Sequence, residues 1–148
     1  MSNPVYLTLG CFVSLLVIVH SSPFNDPCTL MPNGPALPGD DEIKDVFTTT
    51  SCLNGSIWWN YPRGTLRVHF RYTDSSKEFR VCLKSGIGPS FRAAYDVTGG
   101  KHKVFPVPQG RDEEQCTESV AAEIILLVEQ PPFQTYMTLY DYKLEFIN

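Results

Sequence analysis

The sequence has no excess of positive charge: 12 Lys and Arg stand against 16 Asp and Glu, a net charge of −4. That gives no support to nucleic-acid binding, where the phosphate backbone rewards a clearly basic surface. It contains no G-x-S-x-G and no H-E-x-x-H, and every cysteine after the leader is expected to be bridged, so no Cys–His nucleophile can be read. No two carboxylates are marked by spacing as an acid and a base. The chain is therefore expected to be no enzyme and to need no cofactor. No two cysteines lie close together, and only His69 and His102 follow the leader, so a zinc site has no support and no metal is expected. Heptads and internal repeats are absent. The apolar run at residues 5–19 is short for the roughly 20 residues of a bilayer span, which weighs against a signal anchor, and no second run is long enough, so no stable membrane insertion is expected.

What is present begins with the leader itself. Val5 to Val19 is almost wholly apolar and is followed by the small residues Ser21 and Ser22. This is the layout of a signal peptide over residues 1–21, cleaved after Ser21, and it implies a secreted, extracellular protein. Cys11 leaves with that segment. Cys28, Cys52, Cys82 and Cys116 remain, an even number suited to an oxidising compartment. Four cysteines allow three pairings; the sequential one, Cys28–Cys52 and Cys82–Cys116, is expected.

Residues 22–42 are rich in Pro and Gly and read as an irregular lead-in tied down through Cys28. Residues 43–148 read as one β domain. Thr65 to Tyr72 alternates with period two, Leu66, Val68, Phe70 and Tyr72 one way and Arg67, His69 and Arg71 the other. Glu78 to Lys84 repeats the pattern with Phe79, Val81 and Leu83 inward. The polar stretch Thr73 to Lys77 between them predicts a hairpin loop. Further strands are expected over Ile57–Tyr61, Phe91–Val97, Lys101–Val107, Ala121–Glu129 and Tyr136–Phe146. The segment 121–129 is apolar enough for a buried strand or a short helix. A strand is chosen because Pro131-Pro132 cuts it short and its context is β. Seven or eight such strands predict an all-β, antiparallel sandwich.

The run from Cys52 carries a resemblance. Gly55-Ser56-Ile57 followed by Asn60-Tyr61-Pro62 resembles the opening of a CUB domain. The closer similarity is to the N-terminal, CUB-like domain of the meteorin and meteorin-like family. It rests on Cys52, Gly55, Trp58 or Trp59, Tyr61-Pro62-Arg63-Gly64, Thr65-Leu66-Arg67-Val68, Cys82-Leu83, Gly99-Gly100, Cys116 and Leu144-Glu145-Phe146. The second, cysteine-rich domain of that family has no counterpart here, and residues 28–52 do not follow the family closely. The resemblance implies a jelly-roll type sandwich and a hormone-like or cytokine-like factor that binds a cell-surface receptor protein.

Candidate contacts come from the strands. Arg67, His69 and Arg71 share one strand face. Arg80 and Lys84 are expected on the same face of a hairpin partner, with Arg92 extending the stripe. Such a cationic patch suits an acidic receptor surface or, alternatively, a sulfated glycan of the matrix. Trp58 and Trp59 must point to opposite sides, and Trp58 is taken as the exposed anchor. Asn54-Gly55-Ser56 is a sequon, so Asn54 is a candidate glycosylation site. Lys101-His102-Lys103 reads as a loop edge. The acidic runs Asp40-Asp41-Glu42 and Asp112-Glu113-Glu114 read as solvated loops, and Gly86-Ile87-Gly88-Pro89 as an exposed loop.

Overall fold

The computed structural model describes residues 26–31, 43–59, 64–130 and 138–147. The expected leader, most of the lead-in and the Tyr61-Pro62-Arg63 turn lie outside the described residues. Among the described residues, ten strands form two five-stranded sheets. In chain order they are β1 Thr29–Leu30, β2 Ile43–Phe47, β3 Asn54–Trp59, β4 Thr65–Arg71 and β5 Phe79–Ser85. There follow β6 Ala94–Asp96, β7 Lys103–Val104, β8 Glu114–Cys116, β9 Glu123–Glu129 and β10 Thr138–Phe146. Sheet A runs β1-β3-β10-β5-β8 and sheet B runs β2-β4-β9-β6-β7, and neither closes on itself. The fold is all-β, as the alternation requires.

Alternation also places the core. Leu66, Val68 and Phe70 of β4 and Ile124, Leu126 and Val128 of β9 are fully buried on the inner face of sheet B. Phe79, Val81 and Leu83 of β5 and Tyr140, Tyr142 and Leu144 of β10 face them from sheet A. Phe70 meets Tyr142 edge to face across the layers, with centroids 5.3 Å apart, and Phe91 stacks on Tyr140 at 4.3 Å. The two buried phenols each find an acceptor. Tyr140 donates to the Pro108 carbonyl at 2.9 Å and Tyr142 to the Cys28 carbonyl at 3.0 Å. A core phenol left without a partner would cost about 1–3 kcal/mol.

The segment 121–129 is a strand, Glu123–Glu129, paired antiparallel with β4 over its whole length. The strand expected over Phe91–Val97 shortens to Ala94–Asp96, because Phe91 packs sideways into the core between Trp59 and Tyr140. That expected over Lys101–Val107 shortens to Lys103–Val104, ahead of Pro106 and Pro108.

The sheets are not the wholly antiparallel ones expected: the edge strands β1 and β2, absent from the expected set, pair parallel with β3 and β4. A second expectation also fails. Strands β4 and β5 are not a hairpin: β4 lies between β2 and β9 in sheet B, and β5 between β10 and β8 in sheet A. The residues 73–77 carry the chain from one sheet to the other. Asp74 caps this crossing by accepting from the Ser76 backbone and hydroxyl, and the Thr73 amide bonds the Thr50 carbonyl. Period two fixes which side of a strand is buried but not which strand lies beside it.

Both bridges form as expected. Cys28–Cys52 ties β1 to the start of β3, and Cys82–Cys116 joins directly opposed residues of β5 and β8. The short β1 lies parallel to β3 and close against it: a Cβ on Gly55 would come within 2.1 Å of the Cys28 carbonyl oxygen and 2.7 Å of the Tyr142 hydroxyl. Only a residue without a side chain permits this approach.

Candidate functional site

Because β4 and β5 lie in different sheets, the expected basic stripe is split between two opposite outer faces. Arg67, His69 and Arg71 stand on sheet B; Arg80 and Lys84 stand on sheet A. The structure therefore does not bring the five together.

Two ladder rows cross the middle of the outer face of sheet B. Phe47, His69 and Ile125 form one; Asp45, Arg67, Leu127 and Tyr95 form the other. Ile125 and Leu127 sit on the central strand β9 and are partly exposed, and Phe47 on the edge strand β2 is 48% exposed. The charged groups around them are mutually engaged. His69 Nε2 lies 2.8 Å from Asp45 Oδ1, and its Nδ1 lies 3.0 Å from Glu123 Oε1. A carboxylate only accepts, so both contacts are hydrogen bonds when each ring nitrogen carries a proton. Arg71 Nε donates to Glu123 Oε1 at 2.6 Å, and Arg67 pairs with Asp45 at 3.3 Å. The imidazole stacks on Phe47 at 4.4 Å, and the Arg71 guanidinium lies over the same ring at 4.7 Å.

These contacts shift the carboxyls. The hydrogen bond from His69, together with the Arg67 charge, holds Asp45 below the usual carboxylate range. Desolvation pushes Glu123 upward, but hydrogen bonds from Arg71 and His69 and their charges outweigh it and leave it lowered. Sequence reasoning missed Asp45 and Glu123 here, and β2 altogether. The signal that could have found β2 is the alternation Ile43, Asp45, Phe47 against Lys44 and Val46.

Sheet A presents a different outer face. Arg80 makes two hydrogen bonds to Glu145 Oε2, at 2.7 and 3.0 Å, and Lys84 pairs with Asp112 at 2.8 Å. Lys143 pairs with Glu145 at 2.6 Å and Glu114 at 3.7 Å. Asp141 accepts from Ser56 at 2.8 Å. The Cys82–Cys116 bridge crosses this face beside Glu145; its sulfurs are bonded to each other and offer no thiolate to a metal. Trp58 stands partly exposed on the same side, next to Leu139 and the 65% exposed Ile87, while Trp59 is buried in the core. Asn54 is exposed at the start of β3, opposite Lys143.

The remaining candidates fall elsewhere. Arg92 lies 3.9 Å from Glu129. Lys103 pairs with Glu118, and His102 packs on Tyr95 at 4.6 Å. Glu113 accepts the Gln109 and Gly110 amides at 3.0 and 2.9 Å, which closes its own loop. The run Asp40-Asp41-Glu42 lies outside the described residues. No helix among the described residues is long and apolar enough to cross a membrane. No family model matches the chain, and no curated protein matches it significantly.

Proposed function

We propose that the chain is a secreted recognition domain of meteorin-like, CUB-like type that signals by binding a cell-surface receptor protein. The face used is the outer side of sheet B. The observation that carries this reading is the make-up of that face: Ile125, Leu127 and Tyr95 form an apolar patch on β9 and β6, and the neighbouring strand β4 sets Arg67, His69 and Arg71 between that patch and the half-exposed Phe47 on β2. Protein interfaces favour aromatic and Arg side chains around an apolar centre. Two bridges in an all-β fold, and the apolar run at residues 5–19, support the extracellular compartment. The jelly-roll arrangement of the CUB-like type is part of the same proposal.

The alternative, a sulfated-glycan or matrix module, is less favoured by the same geometry. Each candidate cation has a carboxylate beside it, and the stripe is split between two faces. A sulfate would have to displace those carboxylates before gaining the contact.

The test is saturable binding of labelled protein to cells. The expected result is binding that is abolished by surface proteolysis, weakened at least about tenfold by Leu127→Asp, and unchanged by Arg80→Glu with Lys84→Glu. Binding that survives proteolysis, disappears with heparinase and collapses with salt would overturn the receptor reading in favour of the glycan module.

A further inference from the structure

His69 stands on β4, with β2 on one side and β9 on the other. Its side chain is 13% exposed, and each ring nitrogen meets a carboxylate from a different strand. Nε2 reaches Asp45 on β2 at 2.8 Å, and Nδ1 reaches Glu123 on β9 at 3.0 Å. A neutral imidazole has one N–H and one lone pair; only the imidazolium offers a donor to both. In the neutral ring a lone pair would face a carboxylate oxygen at hydrogen-bond distance, and the two would repel.

The charges around the ring balance one another. Asp45 comes from β2, Glu123 from β9, and Arg67 and Arg71 from β4 itself. Arg67 pairs with Asp45 and Arg71 with Glu123, so two guanidinium groups offset two carboxylates. Both carboxyls are held below their usual range, so they stay ionised where histidine changes charge, between pH 5 and 8. Within that window the charge of the cluster follows the imidazole proton. The proton also bears on Phe47, whose ring stacks on the imidazole and carries the Arg71 guanidinium. A cation against an aromatic face adds attraction, and neutral His69 supplies less of it. Strand β2 has β4 as its one described neighbour, so these side-chain ties supplement a single backbone ladder.

We propose that His69 is a proton-operated clasp: as imidazolium it ties the edge strand β2 to β9 across β4, and on giving a proton to solvent it releases one of the two carboxylates and loosens Phe47. The clasp is complete at the acid end of the window and is lost as pH rises through the titration of the ring. It lies on the outer face of sheet B and so, resting on the reading of that face as the receptor-binding one, makes binding tighter at mildly acidic pH.

The experiment is NMR of the folded, oxidised protein, ring nitrogens and backbone amides together, titrated from pH 5 to pH 8. His69 is expected to carry two ring protons at the acid end and to lose one within the range. The amides of residues 45–47 and 123–125 should shift along the same curve. His102, stacked on Tyr95 of β6, is the internal control whose titration those amides should not follow. His69→Gln should abolish the shared curve. In Asp45→Asn the side-chain amide can donate or accept, so β2 stays tied in both states, and the shifts at residues 45–47 should shrink at least about twofold while those at 123–125 persist. Should His69→Gln fail to fold, Asp45→Asn carries the test. One ring proton throughout, two throughout, or β2 amides that ignore the titration of His69 would each overturn the clasp. Cell binding reads the functional half: several-fold tighter at pH 6 than at pH 8 for the parent, and equal at both for His69→Gln. Equal binding by the parent would overturn pH control while leaving the receptor reading; no binding at any pH would overturn the receptor reading and pH control together, and leave the clasp to the NMR result.

Discussion

Replacing Gly55 by alanine tests the join between the two-residue strand β1 and the rest of sheet A. The added methyl would stand 2.1 Å from the Cys28 carbonyl oxygen and 2.7 Å from the Tyr142 hydroxyl, so β1 must move. Overpacking of this kind costs about 1–3 kcal/mol. Moving the Cys28 carbonyl also loses the 3.0 Å hydrogen bond from Tyr142, worth about 1 kcal/mol. Alanine constrains the unfolded chain, which returns roughly 0.4–1 kcal/mol. The net loss expected is about 1–3 kcal/mol, measured by urea unfolding of the oxidised protein. The Ser56 amide, which donates to the Cys28 carbonyl at 3.2 Å, should exchange faster. The sequon survives as Asn-Ala-Ser, so any glycan on Asn54 is unaffected. A second substitution, Tyr142→Phe, removes one of the three clashing atoms and leaves the ring carbon, at 2.8 Å, on a side chain then free of its hydrogen bond to Cys28, so the pair should cost less than the sum of the singles. Stability within about 0.5 kcal/mol of the parent, with unchanged exchange at Ser56, would refute this account of the join.

Intact mass before and after reduction should show the gain of four hydrogen atoms for the two bridges, and deglycosylation should remove mass from Asn54. Loops of 24 and 34 residues place the loss on removing either bridge at about 3–4 kcal/mol, read from denaturation midpoints of the Cys→Ala pairs. On acidification, Asp45 and Glu123, whose carboxyls lie below their unfolded values, contribute stability that is present above the unfolded pKa and lost as pH falls through the native one. Urea titrations between pH 6 and pH 2 should show this loss, and Asp45→Asn should reduce it. At the alkaline end, burial and the Asp26 charge push the Tyr142 phenol up to about 12, so its contribution is whole below its unfolded value and lost as pH rises through about 12. Tyr142→Phe should remove that step.

The strands with the cleanest alternation were legible from sequence. Leu66, Val68 and Phe70, and Phe79, Val81 and Leu83, are buried as their period demands. Trp58 and Trp59 divide between surface and core because neighbours on a strand must. Partner choice was not legible. The polar loop 73–77 has the length of a hairpin turn, and nothing in its composition distinguishes a turn from a crossing between sheets. The same ambiguity placed Arg80 and Lys84 beside Arg67 and Arg71, although the two sets lie on opposite faces. Strands β1, β7 and β8 have two or three residues each, too few for a period to register. Asp96 gave no warning either, because Ala94-Tyr95-Asp96 reads as easily with the acid outward; only the packing of β6 on β9 turns it inward.

The order of strands within the sheets bears on the time at which each can exist during synthesis. Every strand of sheet B has left the ribosome once Glu129 has emerged, because β2, β4, β6, β7 and β9 all precede that point. Sheet A has to wait. Its middle strand, β10, is the last of the ten, and β3 and β5 face an empty lane until it arrives. At the usual pace of elongation the interval between β3 and β10 is on the order of ten seconds. Through that interval two apolar strand edges stand open to other chains, a hazard that folded proteins are built to avoid. Oxidation between Cys28 and Cys52 closes wholly upstream of β10. A bridge made early would hold β1 against the far edge of β3, away from the lane kept for β10, so β3 would wait with one open edge instead of two, and the vectorial order of the chain gives the first disulfide a task during synthesis.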